Sequence, residues 1–260
     1  MRGMRDMALR ARRLLRRVRP AESDRLERLE GEVAALRKDV ARVLDRVVEF
    51  EVRSRRDLVY AGDRQAALES HRFANEHLLG VPHFRRATQT RDYGLSLAPQ
   101  GGMALEFGVA TGNTLRGIAR QRGGERVYGF DSFEGLPEAW LAGIPAGTFA
   151  RKDIPEIPGA ELVVGLFEDT LPKFLAEHDG PVDFVHVDSD LYSSAKTVLE
   201  HVGPRLRPGS VLVFDEYFNY PGWQEHEHRA WLEYVERTGT RFAYEAYSYE
   251  DRQVVVRIRA

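Results

Sequence analysis

The stretch PVDFVHVDSDLYSS, residues 181–194, carries an apolar run into two carboxylates, Asp188 and Asp190, and then into a helical pattern. An apolar run of that length before a polar turn reads as a buried strand reaching its carboxyl end. Working outward, MALEFG (103–108), RVYGFD (126–131), ELVVG (161–165) and VLVFDE (211–216) read the same way, with helical patterns over 112–121, 168–178 and 191–203. Strands alternating with helices build βαβ units, so the fold class is α/β with a mostly parallel sheet. The tail departs from this rule. RFAYEAYSY and RQVVVRIRA, around Glu250 and Asp251, have no helix between them and predict an antiparallel C-terminal hairpin on the sheet edge. Residues 137–160, rich in Pro, Gly and Ala, predict a loop or lid.

Composition narrows the classes. A net charge of −2 gives no whole-molecule field for nucleic acid. The absence of cysteine excludes a disulfide framework and a thiolate metal site, and fits a cytoplasmic location. No run of about 18 apolar residues spans a bilayer.

Ahead of the α/β region lie three zones. Residues 1–20 hold eight arginines and one acid, with Met4, Met7, Ala11, Leu14, Leu15 and Val18 at helical spacing. Such a basic amphipathic arm suits peripheral contact with an anionic membrane surface or an acidic partner. Residues 21–54 carry a heptad, with Leu26, Val33, Val40 and Val47 at a and Leu29, Leu36, Val43 and Phe50 at d. That pattern predicts a parallel two-stranded coiled coil, with Glu32 facing Arg37 and Arg46 facing Glu51 of a second copy. The helix start is read at Ser23, just after Pro20. Residues 55–100 form a helical lead-in to the main domain, 101–260.

ALEFGVATGNTLRGIARQ places Gly108, Thr111 and Gly112 between a strand and a helix. Glycines there let backbone approach a ligand, and the helix start offers free N–H groups. The spacing is neither the dinucleotide pattern nor a P-loop. Asp131, with Ser132 beside it, ends the next strand 23 residues after Gly108, where an acid meets ribose hydroxyls in nucleoside-binding folds. Loop and acid together predict an adenosine ligand. Glu106, two residues before Gly108, offers a carboxylate to the cation of an amino-acid moiety, which suits S-adenosyl-L-methionine better than a dinucleotide.

Asp188 and the pair Asp215-Glu216 end two strands of the same sheet. Acids gathered on one sheet edge repel unless a cation joins them, and oxygen donors suit a hard ion such as Mg2+. Asp190 reads as the cap of the helix that follows. His226 and His228, in YPGWQEHEHRAW, sit after the last acidic strand and join Asp188 as candidate bases. His186 reads as a core histidine.

Taken in order, EFGVATGNT, FDSFEGLPEAW, GLFEDTLP, HVDSDLYSS and FDEYFNYPGW resemble the metal-dependent sugar O-methyltransferases of the macrocin, mycinamicin and novobiocin types, over roughly residues 70–258. The resemblance implies a Rossmann-like class I methyltransferase fold, S-adenosyl-L-methionine and Mg2+ as cofactors, and a sugar hydroxyl as acceptor. It implies Asp188, Asp215 and Glu216 as metal ligands, although the family's second pair is usually Asp-Asp. It places Phe167 and Glu168 beside the adenine, and Phe133 and Glu134 in the lid over the substrate. Tyr192 and Tyr217, each following an acidic strand end, are further substrate-side candidates. Two other readings stand beside this one: a catechol or phenolic O-methyltransferase, and a non-catalytic cofactor-binding scaffold assembled by the coiled coil.

Overall fold

A computed structural model of the chain describes the backbone of residues 2–260 and the side chains of residues 24–260. It divides into two compact units, Met1–Ala61 and Gly62–Ala260. The side chains of the basic arm read over 1–20 lie outside the described residues, and the helix start read at Ser23 is a correction, because one helix runs unbroken from Arg2 to Arg56.

The first unit is the helix α1 (Arg2–Arg56) and the first turn of α2 (Leu58–His77). Asp57 separates them. Its carboxylate accepts hydrogen bonds from the backbone N–H of Val59 and Tyr60, at 2.9 and 3.2 Å, and so caps α2. The eight a and d side chains from Leu26 to Phe50 are between 47% and 64% exposed. Among the described residues no helix is long and apolar enough to cross a membrane.

The second unit is an α/β sandwich. Its elements are β1 (His83–Phe84), α3 (Ala87–Leu97), β2 (Met103–Phe107), α4 (Asn113–Gln121), β3 (Val127–Asp131), β4 (Glu161–Val164), α5 (Phe167–Glu177), β5 (Val182–Val187), α6 (Tyr192–Val202), β6 (Leu206–Phe214), α7 (Glu227–Thr238), β7 (Phe242–Ser248) and β8 (Val254–Ile258). The strands form one sheet in the order β1-β7-β8-β6-β5-β2-β3-β4. From β6 to β4 every pairing is parallel, and β8 runs antiparallel to both β6 and β7.

Side-chain alternation explains the layering. Met103, Leu105 and Phe107 of β2, Val185 and Val187 of β5, and Leu212 and Phe214 of β6 join the core shared with α5, α6 and α7. Ala104, Phe184, Val211 and Val213 point the other way, into the core with α3 and α4. Both faces of the central strands are covered, which is why they read as nearly continuous apolar runs.

Two boundaries differ from the sequence reading. The C-terminal hairpin is not outermost, because β1 adds in parallel to β7; two residues are too few to show a strand period. The strand read as beginning at Val211 begins at Leu206, with Val182 of β5 opposite it, although Arg207-Pro208-Gly209 looks like a turn. The predicted loop over 137–160 holds no helix or strand.

The chain leaves β2 for β3 on one side and reaches β5 on the other, so the strand order reverses at β2. Crevices at such reversals bind ligands beyond the carboxyl ends of the strands. Gly108 sets the geometry there. Its φ is +94°, and a Cβ at this position would lie 1.8 Å from the carbonyl oxygen of Asp188. Gly108→Ala should therefore cost about 2–4 kcal/mol of stability, measurable by denaturant unfolding. A near-neutral change would mean that the two loops do not pack this closely.

Candidate active site

A cavity of about 590 Å³ opens at the reversal. Gly108, Ala110, Asp131, Ser132 and the segment from Gly165 to Glu168 line one part of it. Asp131 is fixed from three directions: Oδ2 accepts from the N–H groups of Val109 and Ala110, both at 2.8 Å, and Oδ1 accepts from Phe133 N–H at 2.7 Å. A carboxylate has about four acceptor positions, so most of this one serves the loop and little is left for a ribose hydroxyl. Gly112 takes the left-handed conformation at the start of α4, and a Cβ there would meet Ile157 of the long loop at 2.0 Å.

The other part of the cavity is acidic. Asp188, Asp190 and Glu216 line it, and Arg252 is the one lysine or arginine lining it among the described residues. Arg252 pairs with Glu216 at 3.1 Å and lies over the rings of Tyr220 and Trp140, at 5.0 and 6.0 Å. Beneath this surface is a buried chain of charge. The β2–β5 register sets Glu106 beside His186. His186 Nδ1 lies 3.0 Å from Glu106 Oε1, and Nε2 lies 3.4 Å from Asp215 Oδ1. Gln253 donates its side-chain N–H to Asp215. Glu227, fully buried on α7, accepts from the backbone N–H of Ser189 at 3.4 Å and of Glu216 at 3.0 Å. It thereby joins the loop after β5 to the loop after β6.

Burial and mutual repulsion shift these groups strongly. Burial, with Asp215 nearby, pushes Asp188 well above the usual carboxylate range. The same two causes raise Asp190 to about 7 and Glu216 to about 8. Burial and Glu216 keep Glu227 well up as well. Burial opposes a charge on His186, but its contacts with Asp215 and Glu106 outweigh that and lift it to about 10. Asp215 is also disfavoured by burial, yet His186 and Gln253 hold it below the usual range.

Residues 105–217 match the family model described as a methyltransferase domain. The chain is 29% identical over 142 residues to the 8-demethyl-8-(2,3-dimethoxy-alpha-L-rhamnosyl)-tetracenomycin-C 4'-O-methyltransferase of Streptomyces olivaceus, an alignment covering 45% of this chain and 53% of that protein. The chain thus spans about half the length of this curated relative. Among solved structures, the calicheamicin methyltransferase CalS11 is similar at 26% identity and TM-score 0.49, over 66% of this chain and 80% of that one. The O-methyltransferase NovP is similar at 23% identity and TM-score 0.45, over 66% and 77%.

The residues singled out from sequence divide into those at the cavity and those away from it. Gly108, Asp131, Ser132, Phe167, Glu168, Asp188 and Glu216 line it. Asp215 lies directly behind, with one ligand atom each from His186, Asp188 and Asp215 within 4.8 Å of one another. Thr111 and Gly112 are off the lining. Glu106 is fully buried, off the lining, and directed at His186. Asp190 is a correction. It takes φ +63° and lines the cavity, and no side chain caps α6.

The substrate-side readings move further. Phe133 is buried against Ile157 and its neighbours in the α3/α4 core, and Glu134 is off the lining. The lid residues at the cavity are Leu136, Pro137, Glu138, Trp140 and Phe149. Tyr192 turns to α7, with its hydroxyl 2.6 Å from Glu233. Tyr217 is fully buried and bonded to the hydroxyl of Tyr244. His228 packs on Phe73, Tyr217 and Trp223, off the lining, where burial and then His77 lower it to about 4. His226 lies beside Trp140 and Tyr220, lowered by burial. Sequence reasoning missed Glu227, Arg252, Gln253 and Trp140. Trp140 lies within the FDSFEGLPEAW stretch and the predicted 137–160 lid without having been singled out, whereas Glu227, Arg252 and Gln253 come to the acid cluster from distant parts of the chain.

The raised acids give a pH dependence with a definite sign. Asp190 and Glu216 keep protons in the fold up to about 7 and about 8, whereas the unfolded chain releases them near pH 4. The folded state then binds more protons, so stability in a chelator should fall as the pH rises from about 6.5 to about 8. His186 adds to the same slope, since its folded value of about 10 lies above its unfolded one. Melting temperature against pH in EDTA checks this, and a rising curve over that window would contradict the cluster's electrostatics.

Proposed function

We propose that this protein transfers a methyl group from S-adenosyl-L-methionine to a hydroxyl of a sugar, with a divalent cation at the acid cluster. The observation that carries the reading is the joining, in one cavity, of the Gly108–Asp131 loop pair with the carboxylates Asp188 and Glu216. The named activity of the relative from Streptomyces olivaceus, a 4'-O-methyltransferase, supports it.

The residues fit both groups. Gly108 leaves space where a side chain would block the loop, and Asp131 marks the nucleoside side. Asp188 and Asp215 come close enough to share an ion, and their mutual repulsion calls for one. Glu216, the third ligand read from sequence, lines the same cavity but is paired with Arg252. Bound S-adenosyl-L-methionine supplies an electrophilic methyl, and a bound dication lowers the pKa of a hydroxyl beside it. The chain's own residues do the rest. Asp188, which lines the cavity, takes the acceptor's proton at its carboxylate once the ion offsets the charge of Asp215. Trp140, Leu136 and Phe149 roof the acceptor side and exclude water. Holding the hydroxyl in line with the methyl supplies much of the rate.

S-adenosylhomocysteine should bind in a calorimetric titration, and Asp215→Ala should retain that binding while methyl transfer to glycosides falls by at least about a thousandfold. Full activity of the variant, or activity on catechols in place of glycosides, would overturn the reading.

The heptad helix pairs two copies of the chain. Its a and d side chains are half exposed from Leu26 to Phe50. A parallel coil sets Arg25 against Glu30, Glu32 against Arg37 and Arg46 against Glu51 of the other copy. An antiparallel coil with Leu26 opposite Phe50 would set Arg37 and Asp39 each against its own copy, which repels. The chain has no cysteine, so Val40→Cys introduces a single thiol. Under mild oxidation it should link two copies in nearly full yield, because parallel pairing sets position 40 against itself. A variant that stays monomeric on a non-reducing gel would rule the parallel pair out.

A further inference from the structure

His186 stands out among the buried polar groups. It is 1% exposed on β5, yet its Nε2 has no hydrogen-bond partner. The 3.4 Å approach to Asp215 Oδ1 is a charge contact without hydrogen-bond alignment. The other ring nitrogen is engaged, with Nδ1 3.0 Å from Glu106 Oε1. Assigning the proton of that bond to Nδ1, since Glu106 can accept it, leaves the Nε2 lone pair facing Asp188 and Asp215. One atom from each of these three side chains lies within 4.8 Å of the others.

This is the arrangement in which an imidazole binds a metal. A ligating histidine gives its second N–H to a carboxylate, which fixes the tautomer, aims the ring and raises its basicity. Glu106 occupies that outer position, and the parallel β2–β5 register puts it there. The burial of Glu106 away from the cavity is then explained, because its partner is the ring. We infer that His186 is a direct ligand, completing with Asp188 and Asp215 a one-nitrogen, two-carboxylate set that takes a first-row transition-metal dication in preference to Mg2+. The inference rests on the proposed reading of Asp188 and Asp215 as a metal pair.

The preference follows from donor chemistry. Imidazole suits Mn2+, Fe2+, Co2+ and Zn2+, whereas Mg2+ favours oxygen donors and gives up water reluctantly. Three protein ligands from one side leave open positions towards the cavity, where an acceptor hydroxyl would enter. Glu216 stays with Arg252 in this assignment, so the longer acid is not needed to complete the set.

The test uses the full-length protein with Mn2+ as the probe. Pulsed electron paramagnetic resonance should detect a directly bound 14N, and growth on 15N-histidine should replace its signature with that of 15N. In parallel, calorimetry compares Co2+ with Mg2+ for the native chain, His186→Gln and Glu106→Gln. Removing the ring should weaken Co2+ by on the order of a hundredfold and leave Mg2+ little changed, while Glu106→Gln should weaken Co2+ by about 10–100-fold. Bound Mn2+ with oxygen couplings alone, or an equal loss of Co2+ and Mg2+ in His186→Gln, would overturn the inference. So would a native chain that binds no Mn2+. If His186→Gln does not fold, the resonance result on the native chain decides. S-adenosylhomocysteine binding, followed in the same samples, separates this result from the proposed methyl transfer. Cofactor binding without nitrogen coupling sinks the inference alone, and nitrogen coupling without cofactor binding sinks the methyltransferase activity alone.

Discussion

Like-charge repulsion at the ends of β5 and β6 is the constraint around which the cavity is organised. Asp188, Asp190, Asp215, Glu216 and Glu227 act on one another through short distances in a poorly solvated place. Carboxylates so placed stay together only if something offsets their charge. The structure uses three means. His186 holds Asp215 from below, Arg252 holds Glu216 from the cavity, and burial keeps protons on the remainder. Glu227 contributes differently: it spends its oxygens on two backbone N–H groups and ties the two acidic loops into one piece.

The nucleoside side rests on close approach rather than on charge. Gly108 lets the loop after β2 pass against the carbonyl of Asp188, so the glycine loop and the acidic loop share a wall. Asp131 then spends most of its hydrogen-bonding capacity on shaping the glycine loop. The two parts of the cavity are thus built by one packing event at the strand-order reversal, and a change at Gly108 would reach both.

Much of this was legible in the sequence, and what was not has a physical reason. The five main strands and the three helices between them followed from period and length, because strands buried on both faces are apolar throughout. The strand-end acids could be placed on one sheet edge, since parallel strands all end on the same side. Facing was harder. Tyr192 and Tyr217 sit next to cavity positions and His228 near the start of α7, but a residue that starts or follows an element can turn to either side, and all three turn into the core or onto α7. Asp190 looked like a cap because it precedes a helix; its positive φ aims it into the cavity instead. Glu106 and His186 are 80 residues apart, and only the strand register brings them together. Arg252 and Gln253 lie after a hairpin turn whose place beside β6 no local pattern announces.

That hairpin has a consequence for how the domain tolerates change. β8 lies antiparallel to β6, and the residues just before it deliver Arg252 to Glu216 and Gln253 to Asp215. The C-terminal strands therefore act as an electrostatic counterweight as well as a sheet extension. A chain that lost them would keep every acid at the strand ends and lose two of the groups that make those acids tolerable. Sequence drift in the hairpin is bounded by the charge it must deliver, at a distance of some forty residues from the acids it serves.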